Sequence, residues 1–325
     1  MATLRIATFN LENFDEPTSD QEPTLAERIA VMRPQLLRLR ADILCLQEIH
    51  GQERTGQPRQ LLALETLLED TPYASFHRVS TRVADNSQVY NERNLVILSR
   101  FPLSDRRQIK EEKFSPLYKL ITAQPPATEP KAIKWERPIL YAKSDVNGKT
   151  IHLINLHLKS KIPADIPGQK VDTYTYRSAS AWAEGSFISA MMRLGQAAEV
   201  RALIDEIFDQ DANALIAVTG DFNATSEEVT LQAIQGNVEN HNNAALIQRV
   251  IVPCENSVPL SSRYSLIHHG QGEMIDHILV SRSLLSFYSH TEIHNEILHD
   301  ESRAFAFDKK FPESDHAPIV ATFEI

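Results

Sequence analysis

Asn10 in TFN, Glu48 in LQE, His157 in NLHLKSK, Asp221 and Asn223 in TGDFN, Asp276 in IDHILVS, and Asp315 with His316 in SDHAP each stand at an end of an apolar run. Strands leaving a common core can bring such ends together at one edge of a sheet. The groups delivered there would be carboxylates, carboxamides and imidazoles. Hard oxygen ligands beside histidines suit Mg²⁺-assisted phosphoryl chemistry.

Singly, these motifs are weak. Asn10 alone reads first as a turn cap. Glu48 says more, because a carboxylate closing the doubly buried run ADILCLQE needs a cation or several donors to offset its desolvation. In TGDFNA an extended chain puts Asp221 and Asn223 on one side and Phe222 on the other. That pair could hold a phosphoryl oxygen, a metal or an attacking water, or form an Asx turn before the next helix. Alternation along IHLINLHL sends Leu153, Asn155 and His157 to one face, so Asn155 and His157 would both point to the site. Asp315 and His316 are neighbours and point apart, which makes Asp276 the better partner for orienting His316. His277 faces away from Asp276 and reads as structural.

The positioning elements follow from periodicity and punctuation. LRIATFN and ADILCLQE are strands, and between them Thr24 and Glu27 form a capping box opening an amphipathic helix, with a kink or break expected at Pro34. A second helix is expected from near Pro58 through Leu61, Leu64, Leu67 and Leu68, followed by strands in YASFHRVS and RNLVILSR. Residues 110–136 read as a long excursion. RPILYAKSD and IHLINLHL form a hairpin turning at Asn147 and Gly148. A helix over 179–208, with Met192, Ala198, Leu203 and Ile207 on one face, leads into the strand ALIAVTGDFN, and Thr225 with Glu228 supplies a second capping box. The chain closes with strands in YSLIH, IDHILVS, YSHTEIH and PIVATFEI. Two halves of this kind predict two packed sheets with helices outside.

The chain has 325 residues, 42% of them hydrophobic, with no linker-like tract, so residues 1–325 are expected to form a single domain. The start lacks the pattern of a secretory signal, and no run approaches the roughly 18 apolar residues of a membrane span. A soluble, cytoplasmic protein is expected, with Cys45 and Cys254 reduced. Against 33 basic residues stand 43 acidic ones, a net charge of −10. That argues against a broad cationic surface but not against a nuclease. Lys159, Lys161, Arg137, Arg177 and Arg193 could form a local basic rim, or be solvated surface.

The ordered set of motifs, spanning residues 8–318, resembles the endonuclease/exonuclease/phosphatase superfamily, which includes deoxyribonuclease I, abasic-site endonucleases, neutral sphingomyelinases and inositol polyphosphate 5-phosphatases. The resemblance implies a four-layered α/β sandwich, two mixed sheets flanked by helices, with Mg²⁺ or Mn²⁺ at the shared strand edge. It implies Glu48 as principal metal ligand, with Asn10 and Asp315 as further ligand candidates. Asp221 and Asn223 match the pair that orients the nucleophile or contacts the scissile phosphate. His316 matches the catalytic histidine with Asp276 as its orienting acid, and His157 the histidine that contacts or protonates phosphate oxygens. Glu92 in NERNLVI corresponds more loosely to an acid positioning His157, and Arg137 in WERPIL to a phosphate-binding arginine, with Lys159 on the same rim. The chain departs from the family in carrying His277 where many members have Tyr.

NLHLKSK, the Tyr-bearing segment after it and RLGQAAEVRALI look most like the nuclease-type bacterial branch. A nucleic-acid phosphodiester is therefore the expected substrate, with Tyr174, Tyr176 and Trp182 available to stack on bases or to pack the loop. The alternatives are a phosphatase or phosphodiesterase acting on a small or lipid phosphate, and a catalytically silent binding scaffold. No apolar anchor for a membrane substrate is evident. The sequence leaves open DNA against RNA, endo against exo cleavage, the number of metals, the general base and the oligomeric state.

Overall fold

The computed structural model of the chain describes residues 2–16, 23–303 and 310–325. Twelve strands build two large sheets. The first sheet contains β1 (Thr3–Phe14), β2 (Ile43–Ile49), β3 (His77–Ser80), β4 (Asn94–Ser99), β11 (Tyr288–Ile293) and β12 (Ile319–Glu324) in the order β11-β12-β1-β2-β4-β3. The second contains β5 (Leu103–Ile109), β6 (Ile139–Val146), β7 (Lys149–His157), β8 (Leu215–Asp221), β9 (Ile251–Pro253) and β10 (Asp276–Ser281) in the order β9-β10-β8-β7-β6-β5.

Period-2 patterning sorts side chains between three apolar layers. Ile43 and Cys45 of β2 join Leu153 of β7 and Ala217 of β8 between the sheets, while Leu44 and Leu46 face the helices α1 (Leu25–Leu39) and α2 (Leu62–Leu68). On the other side, Ile154, Leu156, Ile216 and Val218 pack against Val200, Ile204 and Phe208 of α3 (Ala179–Gln210) and Leu231 and Ile234 of α4 (Val229–Gln235). The order helices, sheet, sheet, helices is the expected four-layered sandwich. Each such Leu or Ile contributes about 1.5–3 kcal/mol by leaving water.

Each sheet has one parallel pair closed by a crossover helix, β1–α1–β2 and β7–α3–β8. Their carboxyl ends therefore share one edge. The antiparallel neighbours begin where those strands end: Asp276 of β10 pairs with Asp221, and Ile319 of β12 pairs with Thr8. Gly220 sits at φ +136°, and a Cβ there would lie 2.0 Å from the Leu156 carbonyl oxygen, so only glycine fits the residue before Asp221.

Bulges bend the first sheet at this edge. The register of β2 with β4 shifts between Leu46 and Ile49, and Glu48 has φ 59°. β1 shifts between Asn10 and Phe14, with Glu12 and Asn13 at φ 47° and 44°. Bulges re-aim side chains. Asn155 braces the break: its Nδ2 donates to the carbonyls of Leu46 and Val96, both at 3.0 Å, and its Oδ1 accepts from Gln47 Nε2 at 2.7 Å. Gln47 also donates to Thr8 Oγ1 at 3.1 Å. Asn155 is thus a tie between the sheets rather than a group presented to the site.

Several expectations need correction. α1 runs without a break past Pro34 to Leu39, its buried Met32, Leu36 and Leu39 offsetting the lost backbone bond; the Thr24–Glu27 capping box is present. The segment at Pro58 is one arm of a short hairpin, and α2 starts only at Leu62. Glu228, not Thr225, caps α4, although its carboxylate accepts from Thr225 N–H at 3.0 Å as a box would. The buried face of α3 centres on Ala197, Val200, Leu203, Ile204 and Ile207, leaving Met192 and Ala198 at its margin. Cys45 and Cys254 are both free and buried. Among the described residues, no helix is long and apolar enough to cross a membrane.

Asn155→Ala should leave two buried carbonyls and the Gln47 amide unpartnered, lowering stability by about 2–4 kcal/mol in urea unfolding. A loss under about 0.5 kcal/mol would show the tie to be dispensable.

Candidate active site

The strand ends converge as the motif order implied. Asp221, almost fully buried, is the centre: its Oδ2 receives Asn10 Nδ2 at 3.1 Å and Asn223 Nδ2 at 3.2 Å, and lies 3.3 Å from His157 Nε2. Asn223 adopts φ 49°, which folds its N–H back onto Asp221 Oδ1 at 2.8 Å while Phe222 enters the core under α3. His157 Nε2 also lies 3.5 Å from Glu48 Oε1, and the other Glu48 oxygen accepts from Asn13 N–H at 2.8 Å.

Opposite stands His316, whose Nδ1 is 2.7 Å from Asp276 Oδ2; its Nε2 lies 3.8 Å from Asp315 Oδ1 and 4.0 Å from Asp221 Oδ2. Two serines set this pair. Ser265 Oγ accepts from Asp276 N–H at 3.0 Å, and Ser314 Oγ accepts from His316 N–H at 3.1 Å while donating to Asn10 O at 2.7 Å. His277 points away as expected, with Nδ1 2.5 Å from buried Glu255 and Nε2 2.9 Å from Ala224 O.

Burial and mutual repulsion set the protonation states. Asp221 is pushed up to about 7, first by burial and then by Asp276. Asp315 rises to about 6 through burial and Glu48, and Glu12 to about 8 through burial and Asp315. Burial alone would lower His316, but Asp276 and Asp315 outweigh it and hold the imidazolium well above its usual range. Burial, then Arg137 and His316, drives His157 well below its usual value. One histidine is thus charged and the other neutral.

The remaining candidates divide. Arg137 is buried and donates at 3.4 Å to the His157 carbonyl, with Lys159 Nζ 3.3 Å from Glu136 at the same rim. Lys161 pairs with Glu228 at 2.8 Å, Arg193 donates to the Lys159 and Ser160 carbonyls at 3.1 Å, and Arg177 to Gly168 O at 2.9 Å. Glu92 is not brought to His157: it is exposed, its carboxylate accepting from Asn91 at 3.4 Å, while Glu48 and Asp221 are the acids beside the imidazole.

Sequence reasoning missed Glu12, Arg28 and Arg93. Glu12 Oε2 accepts from Asp315 N–H at 3.2 Å. Arg28 of α1 donates to Leu11 O at 2.8 Å and Asn13 O at 3.3 Å, clamping the β1 bulge. Arg93 donates to Asn13 Oδ1 at 3.2 Å. LEN directly after TFN offered a weak sign of Glu12; nothing local marked the two arginines.

The acids fit a divalent cation. Asp276 Oδ1 and Asp315 Oδ1 are buried without a hydrogen-bond partner, and neighbouring carboxylates keep one another partly protonated. Among the described residues, Asp221, Asp276 and His316 have donor atoms within 4.8 Å of one another. His316 Nδ1 and Asp276 Oδ2 engage each other, which leaves Asp276 Oδ1 and Asp315 Oδ1 as unpartnered oxygens, with Glu48 Oε1 facing His157 Nε2 at 3.5 Å. Asn10 is placed as a donor, with its Oδ1 accepting from Glu12 N–H at 3.0 Å; ligation through that oxygen needs the carboxamide turned over.

Because folding raises Asp315, Asp221 and Glu12, their contribution to stability is present when they are protonated and is lost as pH rises through about 6, 7 and 8 respectively. The cation-free protein should therefore lose thermal stability between about pH 5 and about pH 8.5, and added Mn²⁺ should raise Tm more at the upper end. Equal Mn²⁺ shifts at both ends, measured by scanning calorimetry, would count against a cation at these acids.

Comparison with known proteins agrees with this architecture. Truncated TDP2 from Caenorhabditis elegans superposes with a TM-score of 0.59 at 16% identity, over 99% of this chain and 98% of that one. An AP endonuclease from Archaeoglobus fulgidus gives 0.51 at 15%, over 99% and 100%, and a mannosyl-6-phosphatase from Bacteroides thetaiotaomicron gives 0.57 at 17%, over 98% of each. At such identities these likenesses show the fold. No match was found among curated proteins. The family model "Endonuclease/Exonuclease/phosphatase family" matches residues 7–316, from the strand that carries Asn10 to His316 itself, and the chain belongs to that family.

Proposed function

We propose that the protein is a Mg²⁺- or Mn²⁺-dependent phosphodiesterase of nuclease type, hydrolysing nucleic-acid phosphodiester bonds. The observation that carries this is the meeting of Glu48, Asp221 and Asp315 with one neutral and one charged imidazole at a single strand edge. Asp221, poised near 7 and held by two amides, takes the proton of the attacking water, whose oxygen adds to phosphorus in line. His316, kept protonated by Asp276, donates to the leaving oxygen. Neutral His157 donates to a phosphoryl oxygen, with Arg137 behind it. A cation held by Glu48 and Asp315 would polarise the phosphoryl group.

Support for a polynucleotide comes from the cations that act on His157, namely Arg137, Arg93 and Lys159, which would meet phosphates flanking the scissile one. A phosphatase acting on a small ester is the second reading, favoured by the fold shared with the Bacteroides sugar phosphatase.

Glu48→Gln and His316→Ala should each lower turnover about 10²–10⁴-fold with the fold intact by circular dichroism. The assay compares plasmid DNA, single-stranded DNA, RNA, bis-p-nitrophenyl phosphate and p-nitrophenyl phosphate. Turnover confined to the monoester would move the protein to the phosphatase reading, and full activity in both variants would remove this site. Asp221→Asn should abolish the acidic limb of the kcat/KM profile together with activity; a persisting limb would pass the base role elsewhere.

A further inference from the structure

A cleft of about 660 Å³ opens where the two sheets end side by side, between edge strands β3 and β5, with the hairpin 52–60 that follows Glu48 as a third wall. Arg59, Arg78, Arg82, Arg106 and Arg107 line it against one acid, Glu65. This concentration of positive charge lies on a chain of net charge −10.

Charged edge strands commonly serve to block sheet-to-sheet pairing. That role asks only for exposed charge, whereas these guanidiniums are held in place. Arg106 donates twice to Leu103 O, at 3.3 and 3.1 Å, and Arg82 to Asn86 O at 3.1 Å. Across the mouth, Gln108 of β5 accepts from Arg82 N–H at 2.9 Å and donates to Arg82 O at 2.7 Å, so the second sheet fixes the backbone of Arg82, two residues beyond β3. Arg59 pairs with Glu53, Arg78 with Glu65 at 3.0 Å, and Arg107 with Asp105 at 3.3 Å, an acid shared with Lys143 at 3.1 Å. Among the described residues, Arg82 and Arg106 bond to backbone carbonyls and to no carboxylate.

Strand register relates the cleft wall to the catalytic strand. Gln108 pairs with Leu140, which pairs with Asn155, two residues before His157. Arg93, immediately before β4 and linked to Asn13 on the β1 bulge, adds a cation acting on His157. Fixed guanidinium forks match phosphate oxygens in geometry as well as charge.

We infer that this cleft is an exosite for the phosphodiester backbone of the substrate beyond the scissile phosphate, an inference that rests on the nuclease-type reading. The test uses the Arg82→Ala/Arg106→Ala double variant, both side chains being exposed. Binding of a labelled single strand of roughly 20 nucleotides is followed by anisotropy in a Glu48→Gln background with EDTA. Affinity should fall about tenfold, with the salt slope shallower by about 1.4, or about 0.7 for each phosphate no longer neutralised. Inorganic polyphosphate should displace the strand from the unaltered cleft. In the active chain, kcat/KM for the strand should fall similarly through KM, leaving bis-p-nitrophenyl phosphate hydrolysis unchanged. Unaltered strand binding, no displacement, or an equal loss on the small diester would overturn the exosite. Arginine-dependent binding in a chain that cleaves no polynucleotide would instead overturn the nuclease reading and uphold the cleft.

Discussion

The carboxamide of Asn155 reaches from β7 to the carbonyls of Leu46 and Val96 on the facing sheet and holds Gln47 as well. Sheets packed through apolar side chains alone can slide, because dispersion and burial have no direction. A buried amide with all its bonds made does have one. It also satisfies carbonyls beside a bulge, where a bare strand would leave them unpaired. With those carbonyls satisfied, Glu48 can adopt its left-handed backbone and turn toward His157, on the same strand as Asn155. One residue thus ties the register of the two sheets to the geometry of the site.

Electrostatics at the edge follow from this packing. Glu48, Asp221, Asp276, Asp315 and Glu12 are drawn close by strand topology, whatever their repulsion. Arg28 and the His316 imidazolium offset part of the charge, and Asn10 and Asn223 spread it by hydrogen bonding. The remainder appears as carboxyls that hold their protons near neutrality. Carboxyls gathered in this way repel one another, and the same imbalance separates the two histidines into a charged one and a neutral one.

Much of this was legible in the sequence because a polar residue interrupting a buried strand has few reasons to be there. Glu48, His157 and Asp221 end runs that are otherwise apolar, and alternation alone placed Phe222 and His277 on the far faces. What stayed hidden depends on distance or on backbone shape. Glu12 points inward only because β1 bulges, and Arg28 matters only because α1 crosses that bulge. Glu92 looked like a partner for His157 by motif position, yet the loop before β4 leaves it in solvent. Pro58 and Thr225 carried helix-start signals, which the hairpin and a later cap overrode.

The same bulges bear on how a long anion could lie across the protein. Closing both sheets into barrels would remove their edges; an open sandwich keeps β3 and β5 exposed and must protect them. Here β5 carries Arg106, held on the Leu103 carbonyl, and the register β5–β6–β7 links that edge to His157 within two strands. Acid at the strand ends and arginine at the strand edges give an otherwise acidic chain two adjoining surfaces of opposite sign. A cation on the first would offset its negative charge, and the cations acting on His157, namely Arg137, Arg93 and Lys159, would then meet a phosphate chain with less of the repulsion of the chain's net charge.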